Sequence, residues 1–182
     1  GLVHLKGMTD LQNLNLLKTK ITDSGLVHLA GMKLKYLGIP DEAKTDLGLQ
    51  HYLAAVEPPT TLLLDSWKIT DAGIEQLAGM NLRSLGIPNQ AKTDLGLKHI
   101  LSAVQPPTHL SLSNWQITDA GLAHLKGMTN LQTLSLPRQI TDAGLVHLMG
   151  LTTLQKLSLP TTNITDAALE HHKAQTSLQN IK

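Results

Sequence analysis

The chain has no cysteine and no phenylalanine among its 182 residues. The first absence excludes disulfides, CxxC redox chemistry and thiolate metal sites, and leaves the redox compartment open. The second belongs to a wider shortage, since Tyr36, Tyr52, Trp67 and Trp115 are the only aromatic side chains. An excess of one charge is missing too: 15 Lys plus Arg against 14 Asp plus Glu leave a net +1. No net pull toward nucleic acid or an anionic membrane follows from that balance. Apolar runs reach only a few residues, far below the ~20 of a membrane span, and Gly1-Leu2-Val3-His4 is not a signal-like stretch, so no membrane insertion is expected. What the chain has in excess is leucine, 37 residues of it. An ordinary core of this size mixes several kinds of large side chain, so an interior of Leu, Ile and Met argues for one packing solution copied many times.

Self-comparison finds the copies. ITDSGL at 21–26, ITDAGI at 69–74, ITDAGL at 117–122 and 140–145, and ITDAAL at 164–169 recur along the chain, with KTDLGL at 44–49 and 92–97 filling the gaps. Their aspartates, Asp23, Asp46, Asp71, Asp94, Asp119, Asp142 and Asp166, are spaced 23, 25, 23, 25, 23 and 24 residues apart, a period within the window of leucine-rich repeats. Above this lies a second repetition: residues 30–77 align without gaps on 78–125, with 31 identities in 48. A two-coil block was duplicated.

Each unit carries an LxxLxL stretch, such as Leu11, Leu14, Leu16 or Leu131, Leu134, Leu136. Its closing alternation reads as a strand with one face in the core. All eight prolines flank these strands, as residues without an N–H must. The ITDAGL motif then starts a helix, with Thr22, Thr45, Thr70, Thr93, Thr118, Thr141 and Thr165 as N-caps and the following Asp favoured by the helix dipole. Pairs such as Leu26 and Leu29 or Leu122 and Leu125 turn one helix face inward. The Gly within the motif disfavours a helix by roughly 1 kcal/mol, so its recurrence predicts close packing against the next coil. One coil alone cannot bury its apolar edge; stacking makes the core.

A strand of LxxLxL followed by ITDxGLxxL resembles the leucine-rich repeat over essentially the whole chain. Within it, the sequence is similar to the subclass with ITDxGL repeats found in cysteine-containing F-box adaptor proteins and in long bacterial arrays. The resemblance implies an α/β fold: a right-handed solenoid with a parallel sheet on the concave face and short helices on the convex face, and a role in binding other macromolecules. Where that family often has Cys or Asn after the strand, this chain has Thr19, Trp67, Trp115 and Thr162, a departure from the pattern on which the family's hydrogen-bonding ladder relies.

Seven histidines occupy one repeat position, His4, His28, His51, His99, His124, His147 and His171, with Gln76 in the remaining copy. A metal stripe is opposed by spacing, because neighbouring helices lie roughly 8–10 Å apart while zinc ligands sit about 2 Å from the metal. The stripe reads as helix-flank residues, and protonation near pH 6 is expected to loosen self-association. His171-His172 with Glu170 and Asp166 reads as ordinary surface. No GxSxG, P-loop, GxGxxG after a strand or HExxH is present, so neither catalysis nor a cofactor is expected.

Strand positions between the core leucines run Asn15, Gly38, Leu63, Gly86, Ser111, Ser135 and Ser158, flanked by Asn13, Tyr36, Thr61, Ser84, His109, Thr133 and Lys156. This surface is small, polar and nearly uncharged, without the basic stripe of a nucleic-acid groove. Its anchors for a partner are Tyr36, Leu63 and His109, joined at the strand ends by Trp67 and Trp115. The two Trp either fill space under their loops or present a hot spot. The reading is one solenoid over residues 1–182, of about seven to eight coils, acting as a non-catalytic protein-interaction module. The alternatives are a carbohydrate-binding module of a surface or secreted protein, stacking sugars on Trp67 and Trp115, and a structural spacer. Gly1 aligns with Gly25 in mid-coil and Ile181 with Leu14 inside a strand. Neither end shows a polar cap, so a piece of a longer chain is expected, or self-association through the uncapped ends.

Overall fold

Each LxxLxL stretch yields a very short strand. The computed structural model describes residues 1–159, 164–175 and 178–181, and the sequence readings at Pro160, Thr162 and the His171 and His172 side chains lie outside what is described. The strands are β1 Asn13–Asn15, β2 Tyr36–Gly38, β3 Thr61–Leu63, β4 Ser84–Gly86, β5 His109–Ser111, β6 Thr133–Ser135, β7 Lys156–Ser158 and β8 Asn180–Ile181. All their pairings are parallel and in repeat register, with Leu14 on Leu37, Leu62 on Leu85, and Leu110 on Leu134 on Leu157 on Ile181. Period-two alternation shows directly in β3 and the two residues after it, where Leu62 and Leu64 are buried while Thr61, Leu63 and Asp65 are exposed.

The helices are α1 Asp46–Ala55, α2 Asp71–Glu75, α3 Asp94–Ala103, α4 Asp119–Leu122, α5 Asp142–Leu145 and α6 Asp166–Gln175; a 3-10 helix stands in their place at Asp23–Leu29. Their length follows from the residue eight places after the motif Asp. That residue is Gly31, Gly79, Gly127 or Gly150 where the helix is short, and Ala54, Ser102 or Ala174 in the three ten-residue helices. Gly31, Gly79 and Gly127 sit at φ +80°, +77° and +89°, a left-handed stop that only glycine adopts without strain. Two of these loops, Gly31-Met32-Lys33-Leu34 and Gly79-Met80-Asn81-Leu82, are one residue shorter than Gly127-Met128-Thr129-Asn130-Leu131. Closing the shorter loop drives Lys33 and Asn81 to φ 54° and 56°.

The chain divides into two compact units, Gly1–Ala91 and Lys92–Lys182. In the first, β1 pairs with β2 and β3 with β4, as separate two-stranded sheets. Between them, Leu34 bridges Val56 instead, ahead of Pro58 and Pro59, whose missing N–H groups cannot continue a ladder. In the second unit β5, β6, β7 and β8 form one four-stranded sheet. Leu26 and Leu29 in the first unit, and Leu122, Leu125, Leu145 and Leu148 in the second, are buried as the helix-face spacing predicts. Each such leucine contributes roughly 1.5–3 kcal/mol of burial, and the second unit's core is almost pure Leu and Ile.

Candidate functional site

The motif aspartates do more than start helices. Asp46 accepts from the Thr70 N–H at 2.9 Å and from its hydroxyl at 2.7 Å, one coil further on. Asp94 holds Thr118 in the same way at 2.8 and 2.6 Å, Asp119 holds Thr141 at 2.9 and 2.6 Å, and Asp142 holds Thr165 at 2.8 and 2.8 Å. Asp23 accepts the Thr45 hydroxyl at 2.8 Å. The threonine oxygen also accepts a helix-start N–H in Thr45, Thr70, Thr93, Thr141 and Thr165, whereas Thr22 and Thr118 make no such cap bond. Each clamp joins two consecutive coils. It also explains the motif glycine: a Cβ at Gly73, Gly121 or Gly144 would collide with the carboxylate of Asp46, Asp94 or Asp119. The close packing is therefore against the preceding coil, where the sequence alone pointed to the next.

On the strand face of the first unit, this framework displays apolar side chains. Tyr36 is 49% and Leu63 69% exposed, and Leu17, a residue outside the LxxLxL pattern, is 47% exposed. Gly38 leaves room for its neighbours, since a Cβ there would meet the Tyr36 hydroxyl at 2.9 Å, Asn15 Oδ1 at 3.1 Å and Leu17 at 3.4 Å. Gly86, the register partner of Leu63, is overhung by the Asp65 carboxylate. A shallow cavity of about 500 Å³ lies among Leu17, Lys18, Thr19, Pro40, Asp41 and Glu42. Lys44 pairs with Asp41 at 2.7 Å and holds its carboxyl below the usual range. Among the described residues Glu42 and Asp65 pair with no cation.

The two tryptophans have different surroundings. Trp67 is only 8% exposed, with its ring edge-on to Tyr52 at a centroid distance of 5.7 Å and 83° between planes. Trp115, in the second unit, is half-buried against the Leu and Ile core. A glutamine of the following coil reaches each main chain: Gln90 donates to the Trp67 carbonyl at 3.1 Å, and Gln139 donates to those of Trp115 and Ile117, both at 2.9 Å. His109 is exposed on β5, its Nδ1 2.8 Å from the Thr108 hydroxyl. Of the five residues singled out in the sequence, Tyr36, Leu63 and Trp67 thus fall in the first unit and His109 and Trp115 in the second. The sequence reading missed Leu17 and the placing of Asp65 beside Leu63. The doubled Leu16-Leu17 was the available signal for the first.

Among the described residues no three His, Asp or Glu side chains gather to hold a metal ion, and no helix is long and apolar enough to cross a membrane. Neither protein-family models nor curated proteins match the chain.

Proposed function

We propose that the chain is a leucine-rich-repeat solenoid of seven to eight coils, serving as a non-catalytic module that binds a protein partner through its concave strand face. The repeated strand–helix coils and the Asp–Thr clamp, present in both units, support the solenoid. The observation that carries the binding reading is Leu63, a large aliphatic side chain 69% exposed in the middle of a strand face, with Tyr36 exposed on the strand before it. Exposed anchors of this kind are where interface energy concentrates. In the second unit, taken by itself, His109 is exposed and Trp115 half-buried. A sugar platform on paired tryptophans loses support because the Trp67 ring is spent on Tyr52.

A photo-crosslinking residue placed at 36 or 63 is expected to label a discrete protein partner in native extract. The same residue at Val146, which is 60% exposed on a helical segment, is the control and should not. Equal labelling from all three positions, or none from 36 and 63, would sink the reading.

A further inference from the structure

The duplicated block provides its own control. Residues 30–77 and 78–125 share their buried apolar set almost completely, with Ile74 and Leu122 the one exchange at the first copy's buried positions. About half of the differences lie on the strand face and the loops after it, the rest on the helices and the segments before the strands. On that face and in those loops the first copy has Tyr36, Asp41, Glu42, Leu63 and Asp65, and the second has Ser84, Asn89, Gln90, Ser111 and Ser113. Either set is compatible with the same coil, so the first copy's aromatic, aliphatic and acidic groups are not demanded by the fold.

We propose that this face of the first copy docks an extended protein segment bearing a Lys or Arg two residues from a large apolar side chain. This rests on the protein-binding reading above and adds the partner's chemistry. Leu63 and Asp65 stand on one face, with Leu64 between them buried at 1% exposure. Residues two apart in an extended chain are separated by roughly 6.6 Å, so an extended partner with the same period presents an apolar and a cationic side chain at matching spacing. Leu63 is the anchor, exposed and uncovered. Among the described residues Asp65 is a carboxylate without a cation, leaning over Gly86, which offers no side chain of its own. Glu42 is a second carboxylate with no cation among the described residues, while Lys44 already occupies Asp41 and Lys18 shares the cavity wall with Glu42. At the positions matching Leu63 and Asp65 the second copy has Ser111 and Ser113, neither apolar nor charged.

Selection of a displayed library of random eight-residue peptides on the full chain tests this. Enriched peptides are expected to pair Lys or Arg with Leu, Ile, Met or an aromatic two positions away. For a synthetic representative, Leu63→Ser should weaken binding about tenfold or more at every salt concentration. Asp65→Ser or Asp65→Asn should weaken it less and flatten its salt dependence. The two serine variants install residues that the duplicate already carries, and circular dichroism checks their fold. Enrichment of acidic or uncharged peptides, no enrichment, or a binder indifferent to all three substitutions overturns the proposal. Should crosslinking at 36 and 63 succeed while the library shows no cationic preference, the interaction module stands and the partner chemistry alone falls.

Discussion

Replacing Asp94 by alanine leaves two donors of Thr118, its N–H and its hydroxyl, without their acceptor. Both reach solvent, so a loss of about 1–2 kcal/mol is expected in urea unfolding. Gly121→Ala should also destabilise, by about 1 kcal/mol, although alanine is the better helix former, because its methyl meets the Asp94 carboxylate. Ala168 fills this position in another coil while Thr165 keeps both bonds to Asp142 at 2.8 Å, which limits the loss to strain. In an Asp94→Ala background Gly121→Ala should become neutral or stabilising, and additive effects would refute the clamp's role in excluding a side chain. At Lys33 the left-handed backbone predicts the opposite sign: Lys33→Asn, the residue its duplicate carries, should raise stability by a few tenths to about 1 kcal/mol. Tyr52 gives a pH test. Burial, and then the charge of Tyr36, raise its hydroxyl above the ordinary value of 10.0. A raised folded-state value means that its contribution is intact below the unfolded value and falls as pH climbs past it. Stability should therefore drop above about pH 10, and Tyr52→Phe should flatten that drop in alkaline melts. Much of this scale was hidden from the sequence. The aspartates read as local helix-start charges because their partners lie 22 to 24 residues away, and the burial of Trp67 depends on a ring supplied by another element.

Helices and strands were more legible, because their determinants are local. Glycine eight places after the motif Asp goes with a short helix, left-handed at Gly31, Gly79 and Gly127 though not at Gly150, and Ala or Ser there goes with ten residues. That difference can be read by eye. Gly127→Ala should cost about 1 kcal/mol, and a Cβ there has nothing within 4 Å, so the loss is all backbone. A Gly127→Asn variant, which tolerates left-handed φ better, should recover part of it in the same urea assay. The prolines read as flanking the strands, but not as interrupting the pairing of β2 with β3. Nor did they announce the substitute bridge between Leu34 and Val56, which depends on where α1 releases the chain. On the strand face Tyr36, Leu63 and His109 are exposed, while Gly38 is buried and Leu17 was not foreseen. The chemical unevenness of that face, apolar and acidic in one copy and hydroxyl-rich in the other, emerges once exposure is laid over the duplication.

For the whole molecule, that duplication makes deletion a fair test. Removing residues 30–77 joins Leu29 to Ala78-Gly79-Met80, the same tripeptide that follows it naturally as Ala30-Gly31-Met32. The shortened chain should fold, with Asp23 receiving Thr93 in place of Thr45, unchanged ellipticity per residue and a denaturant slope lower by about a quarter. An unfolded product would show that the coils are not interchangeable at this junction. The clamp has one more consequence, in time rather than in space. Each of these five aspartates is made 22 to 24 residues before the threonine it receives. On a ribosome adding about 5–20 residues per second, a new coil emerges every few seconds and meets a carboxylate already waiting on the coil before it. In each of these clamps the acceptor is thus made before its donor, so a coil can dock on the one before it as soon as it emerges.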